Sequence, residues 1–147
     1  MNLADLYRDV IVDHNRRPRN FGRLDQASHV AEGNNPLCGD KLHVFLDIID
    51  DVIRDIRFEG AGCAISTASA SLMSEAVKGR SRGEVAGLFG SVHQMLTRHD
   101  ALPDPGLGKL AALGGVRAFP ARVKCASLCW HTLNAAFAGG GTPVSTE

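Results

Sequence analysis

The chain opens with an apolar stripe at helical spacing. Leu3, Leu6, Tyr7, Val10 and Ile11 recur every three or four residues, which predicts an amphipathic helix with one face turned to a core. Asn2 fits its N-cap, and Asp5 falls in the first turn, where a negative charge complements the helix dipole. The stripe stops before Pro18, and Arg16-Arg17-Pro18-Arg19-Asn20-Phe21-Gly22 reads as loop. The period then changes to alternation. Residues 28–33 predict a short strand, and turn formers fill the stretch from Glu32 to Asp40. Leu42, Val44, Leu46 and Ile48 alternate with His43, Phe45, Asp47 and Ile49, the pattern of a strand with one strongly apolar face. Asp50-Asp51 predicts a tight turn that returns Val52–Phe58 as the second arm of a hairpin.

After Gly60-Ala61-Gly62-Cys63, read as a glycine-hinged turn, the helical period resumes. A helix is expected over residues 64–78, ended by Gly79. It is crowded with small side chains (Ala64, Ser66, Thr67, Ala68, Ser69, Ala70, Ser71), which let a neighbouring helix come close. Ser81-Arg82-Gly83-Glu84 is a capping box. It opens a helix whose stripe is Val85, Leu88, Phe89, Val92, Met95 and Leu96. A loop over 99–106 carries Pro103 and Pro105, a short helix over 107–113 stops at Gly114-Gly115, and a last helix spans about 121–138. Residues 139–147 are expected to form a flexible polar tail behind one domain, 1–138. Helix, strands, then helices define an α+β class: a small antiparallel three-stranded sheet packed against several helices.

Composition narrows the partners. The chain's 147 residues, 44% of them hydrophobic, suffice for one real core. Sixteen basic and sixteen acidic residues leave no net charge, so no global field draws in nucleic acid or an anionic membrane. The first residues show neither the basic nor the apolar region of a secretory signal, and no apolar run reaches the length of a membrane span. A cytoplasmic setting is expected, and there four cysteines read as metal ligands or reactive groups before disulfides.

Three of those cysteines and one aspartate carry the chemistry: Cys38-Gly39-Asp40, Gly62-Cys63-Ala64 and Lys124-Cys125-Ala126. Three thiols and a carboxylate make a four-coordinate set for zinc or iron. There is no CxxC knuckle, so a fold must assemble the site from three segments. Cys38 and Asp40 are two apart, on one side of an extended chain. Cys63 opens a helix, where the dipole favours a thiolate, and Cys125 is expected in or near the first turn of the last helix. Asp40 is the harder, more exchangeable ligand, so the set can hold a metal and still open one position. Four ionised ligands around a divalent ion sum to about −2, which leaves the sulfurs electron-rich.

These pieces resemble a known family. Leu6-Tyr7-x-x-Val10-Ile11-x-Asp13-His14, Pro18-Arg19-Asn20-x-Gly22, Asn35-Pro36-x-Cys38-Gly39-Asp40, Phe58-x-Gly60-x-Gly62-Cys63-Ala64-Ile65-Ser66-x-Ala68-Ser69 and Arg122-x-Lys124-Cys125-Ala126-x-Leu128-x-Trp130 occur in order. Together they resemble the IscU/NifU N-terminal superfamily of iron–sulfur assembly proteins, and within it the SufU branch. That branch is known for an insertion between the second and third cysteines, for which residues 80–120 give room. Lys124 stands where IscU-type proteins carry a histidine. The resemblance implies one zinc ion on Cys38, Asp40, Cys63 and Cys125. It implies persulfide sulfur taken from a pyridoxal-phosphate-dependent, SufS-like cysteine desulfurase, a histidine of that partner displacing Cys38 as the accepting thiolate. Sulfur would then pass to downstream iron–sulfur assembly proteins. A scaffold that binds iron and assembles a transient [2Fe–2S] cluster uses the same ligands, and a purely structural zinc module is the third alternative.

Other residues are read more plainly. Lys124 is an auxiliary candidate, because a lysine beside a thiolate favours its ionised form. Cys129, one turn after Cys125, is a fourth thiolate, a resolving partner or a core residue, with the core preferred. His14 is expected to cap the end of the first helix, His43 to be exposed, and His131 to be solvated or packed. Arg16, Arg17, Arg19 and Arg23 read as a solvated loop, with a docking patch for an acidic desulfurase as the alternative.

Overall fold

A computed structural model describes residues 3–36, 39–98, 105–139 and 144–145. Asn2, Cys38, the start of the loop at His99 and most of the tail lie outside the described residues. In chain order come α1 (Leu3–Arg16), β1 (His29–Asn35), β2 (Asp40–Ile49), β3 (Val52–Ala61), α2 (Ala64–Val77) and α3 (Arg82–Thr97). A 3-10 segment (Pro105–Ala118), α4 (Pro120–Phe137) and β4 (Val144–Ser145) follow. The sheet order is β3-β2-β1-β4. The first three strands are antiparallel, as expected. Within the tail expected to be flexible, Val144 and Ser145 pair in parallel with Gly33 and Asn34.

Two strands run further than their sequence suggests. β1 continues through Asn34-Asn35 to pair Asn35 with Asp40. β3 continues through Gly60-Ala61, which pair with Leu42 and Lys41, so these residues are ladder and not turn. Glycine is required at position 60 because a Cβ there would run into the carbonyl oxygen of Lys41. Between β2 and β3, Asp50 and Asp51 both adopt positive φ, 53° and 65°. That conformation matches the twist of a two-residue hairpin. The Arg82 amide and guanidinium bind the Asp51 carbonyl and carboxylate, tying the turn to α3.

α2 is the centre of the molecule. Ser66, Ala68, Ser69, Ala70, Ser71, Leu72, Met73 and Ser74 are all buried. Its small side chains let α1, α4 and the sheet close in around it. The serines then serve as joints. Ser69 donates to the Ala126 carbonyl of α4 at 2.6 Å, and Ser71 Oγ lies 2.7 Å from His14 Nδ1 of α1. Around them Leu46, Ile53, Ile56, Phe58, Leu128, Trp130 and Leu133 are fully buried, each such side chain contributing about 1.5–3 kcal/mol. The capping box at Ser81 and Glu84 forms as read.

The remaining differences have local causes. The short helix expected over 107–113 is instead the 3-10 segment, broken at Gly108, where φ is 55°. It runs on past Gly114-Gly115, because Gly115 is where the Tyr7 ring packs: a Cβ there would lie 2.7 Å from Cδ2. His14 is no helix-end cap. It lies in the last turn of α1, but it is 1% exposed and its ring packs against α2. Phe45, on the polar-reading face of β2, is buried beneath the Arg23 guanidinium, 5.6 Å from its ring centre. The basic cluster divides: Arg19 pairs with Asp13 at 2.8 Å and Arg23 faces Glu59 at 3.5 Å, while Arg16 and Arg17 stay exposed.

Candidate metal centre

Asp40, Cys63 and Cys125 converge where β2 begins, α2 begins and α4 passes over β1. One ligand atom from each lies within 4.8 Å of the other two. Each reaches the point for a different reason. Asp40 is the first residue of β2, on the inward face shared with Leu42 and Val44, and is 1% exposed. Cys63 is the N-cap of α2, its sulfur accepting from the Ser66 amide at 3.4 Å. Cys125 lies in the second turn of α4 and not its first, fully buried, so proximity to the helix start contributes less than at Cys63.

The carboxylate is oriented by the backbone. Asp40 Oδ1 accepts the Cys63 amide at 2.9 Å. Gly62 makes room for it, since a Cβ at 62 would collide with that same oxygen. Asp40 Oδ2 is buried with no hydrogen-bond partner. A buried carboxylate oxygen without a partner is costly unless it is paired or bound to a metal. Asn35 lines the same spot: its Nδ2 lies 3.6 Å from Cys125 Sγ, and its Oδ1 is also without a partner.

Arg122, exposed on α4, stands beside the cluster. The guanidinium of Arg122, one turn before Cys125, lies against both sulfurs. Charge on Cys63 and a hydrogen bond to it, then Cys125, raise the Arg122 pKa further. Burial raises the Tyr7 pKa, with Arg122 lowering it and Cys63 raising it. Lys124 follows α4 about 100° away from Cys125, so adjacency in sequence does not put it on the same face. Cys129 belongs to the core: burial pushes its thiol up to about 12, and Ser69 Oγ sits 3.4 Å from its sulfur. His43 is half-buried on the outer sheet face, and burial, then His93, lowers the pKa of His131.

The residues fit a metal. In a tetrahedral zinc site donor atoms sit about 3.5–3.8 Å apart, given metal–ligand bonds of about 2.0–2.3 Å. The three donors present all lie within 4.8 Å of one another, close to that spacing. The partnerless Asp40 oxygen is free to take a metal. Soft sulfur donors with a single oxygen favour zinc or iron over magnesium or calcium.

Strand, helix cap and second helix together define the class: an α+β domain with a thiolate–carboxylate centre assembled from separate segments. The chain belongs to the family described as NifU-like N terminal domain, whose model matches residues 6–126. It is 42% identical over 132 residues to the zinc-dependent sulfurtransferase SufU of Bacillus subtilis strain 168, covering 90% of this chain and 89% of that protein. It is 40% identical over 134 residues to the iron–sulfur cluster assembly scaffold protein IscU of Streptococcus pyogenes serotype M1, covering 91% and 84%. The crystal structure of FiSufU, a SUF-system protein of Fervidobacterium islandicum AW-1, superposes with a TM-score of 0.83 at 32% identity, covering 90% of this chain and 96% of that one.

Proposed function

We propose that the chain is an iron–sulfur cluster assembly protein that accepts sulfur from a cysteine desulfurase at a zinc centre. The observation that carries the reading is the convergence of Asp40, Cys63 and Cys125 around a buried carboxylate oxygen that has no partner of its own. The likeness to the Bacillus sulfurtransferase supports zinc and sulfur transfer together. Asp40, Cys63 and Cys125 would hold the ion, with Cys38, two residues before Asp40, as the fourth ligand. When bound, zinc supplies the charge that keeps its thiolates deprotonated at neutral pH.

The chain's own residues do the rest. The Ser66 amide holds the Cys63 sulfur, and the interior of the α4 interface holds Cys125, so both are anchors. Arg122 sets a positive charge at the exposed rim, which suits an approaching anionic persulfide. Cys38 is the acceptor. Its thiolate attacks the terminal sulfur of the persulfide on the desulfurase. The partner's S–S bond breaks, a new S–S bond forms on Cys38, and the partner cysteine leaves as thiolate. The partner is a pyridoxal-phosphate-dependent, SufS-like enzyme, and downstream assembly proteins receive the sulfur.

The Streptococcus relative favours a second reading, in which the same ligands assemble a [2Fe–2S] cluster as cargo. Metal analysis combined with a desulfurase assay separates the two. The sulfur acceptor purifies colourless with one zinc, raises desulfurase turnover, and loses that effect in Cys38→Ala. Absence of stimulation by the zinc form would sink the first reading. A brown protein from anaerobic purification, able to hand its cluster on, would establish the second.

A further inference from the structure

Asn35 is the last residue of β1 and faces inward, in line with Ala31 and Gly33. Its side chain is 0% exposed. That is an unusual place for an amide, which must leave water and keep its hydrogen bonds elsewhere. Its neighbours on the strand are small for a visible reason. Leu128 and Thr132 of α4 press onto Gly33 so closely that a Cβ there would collide with the Thr132 hydroxyl. Cys125 lies on the same face of α4, one turn before Leu128. The helix therefore runs down the strand and sets the Cys125 sulfur over Asn35, at 3.6 Å from Nδ2.

We infer that Asn35 is a positioning residue of the metal centre, donating an N–H···S hydrogen bond that fixes Cys125 as a non-exchanging thiolate. The inference rests on the metal reading above. A thiolate has only lone pairs to offer, so a donor is what it needs from a buried neighbour. An amide provides one without adding a charge. A donated hydrogen bond draws electron density from sulfur, which lowers its nucleophilicity and fixes its direction. Outer partners of this kind orient metal ligands and hold them in place. Cys63 receives the equivalent bond from the Ser66 amide. The two described thiols of the centre, Cys63 and Cys125, are thus held by N–H donors, and reactivity is left to the remaining ligand.

The test has two parts. Wild-type protein loaded with the NMR-active isotope of cadmium should show scalar coupling between the metal and a side-chain amide proton of Asn35, transmitted through the Cys125 sulfur. Bound cadmium without that coupling overturns the assignment and leaves the metal reading intact. Failure of cadmium and zinc to bind at all overturns both. The second part alkylates zinc-loaded Asn35→Leu, which keeps the side-chain shape and removes the donor. Peptide mass spectrometry should show Cys125 modified about tenfold faster relative to Cys63 than in wild type. No change, or an equal rise at both cysteines, overturns the inference. If Asn35→Leu does not fold, the cadmium measurement on wild type decides alone.

Discussion

Two buried polar clusters sit on either side of α2, and they are built on different terms. Toward α1, the groups satisfy one another except at His14 Nε2, which has no hydrogen-bond partner. Ser71 Oγ accepts the Arg19 amide at 2.8 Å and meets His14 Nδ1. Ser74 takes Asn20 Nδ2 and lies near the Arg19 and Ser71 carbonyls, while Asn20 Oδ1 accepts from Arg57. When Ser71 donates its O–H to Nδ1, the His14 proton is left on Nε2, which faces Glu75 Oε1 at 3.6 Å, too far for a hydrogen bond. Toward α4, the Asp40 and Asn35 side chains each make one hydrogen bond, and Asp40 Oδ2 and Asn35 Oδ1 have no partner. The open end toward α1 is one ring nitrogen facing a carboxylate; the open ends toward α4 are two oxygen acceptors, which suit a cation. The first cluster pins the loop after α1, and the second is where chemistry is expected.

The sharpest way to break this contrast is Asp40→Ala. Zinc content should fall from about one per chain to near none, read by metal analysis, because removing a ligand costs more than the 10–100-fold typical of outer-shell changes. The metal-free protein should keep its urea midpoint or gain slightly, since a buried carboxylate lacking a full set of partners is lost. A large loss of stability in the metal-free form would put both clusters in one class.

Next in size, Ser71→Ala strips partners from the Arg19 amide and His14 together. It should cost about 2 kcal/mol in urea denaturation, with zinc stoichiometry unchanged. Loss of zinc in this variant would show that the two clusters are coupled through α2.

The smallest effect is a pH slope. Burial lowers the His14 pKa below its ordinary 6.5, Arg19 adding to this and Glu75 and Asp13 opposing, with Lys109 a further positive neighbour. The unfolded chain therefore takes up the proton first as pH falls. The contribution to stability is complete above about pH 6.5 and declines below it toward the lower folded value. Denaturation curves across this range should show the slope in wild type and its reduction in His14→Gln.

The legible parts of the chain share a property: their signals are local. The capping box at Ser81, the helix α1 and the paired aspartates of the hairpin each rest on signals a few residues apart, and each forms as read. The illegible parts depend on distant neighbours. Gly60 looks like a hinge, yet it is a strand residue that needs to be small because the Lys41 carbonyl is in its way. His14 looks like a cap until Ser71, 57 positions on, is placed beside it. At the candidate centre, Asp40, Cys63 and Cys125 were found through residue type and motif order. Asn35 and Arg122 were quoted in those motifs, but their roles depend on how α4 crosses β1, which no spacing along the chain reveals. No helix among the described residues is long and apolar enough to cross a membrane.

The packing at Gly33 has a reach beyond its own contacts. There the distance between α4 and the sheet is gauged by a hydrogen atom standing where a carbon would be. Cys125 rides on the helix and Asn35 and Asp40 ride on the sheet, so that one gauge calibrates sulfur against oxygen. A methyl group added at Gly33 touches no ligand, yet it would shim the two supports apart and detune the centre from a distance. Such a variant would present as a metal defect in a protein whose ligands are all intact.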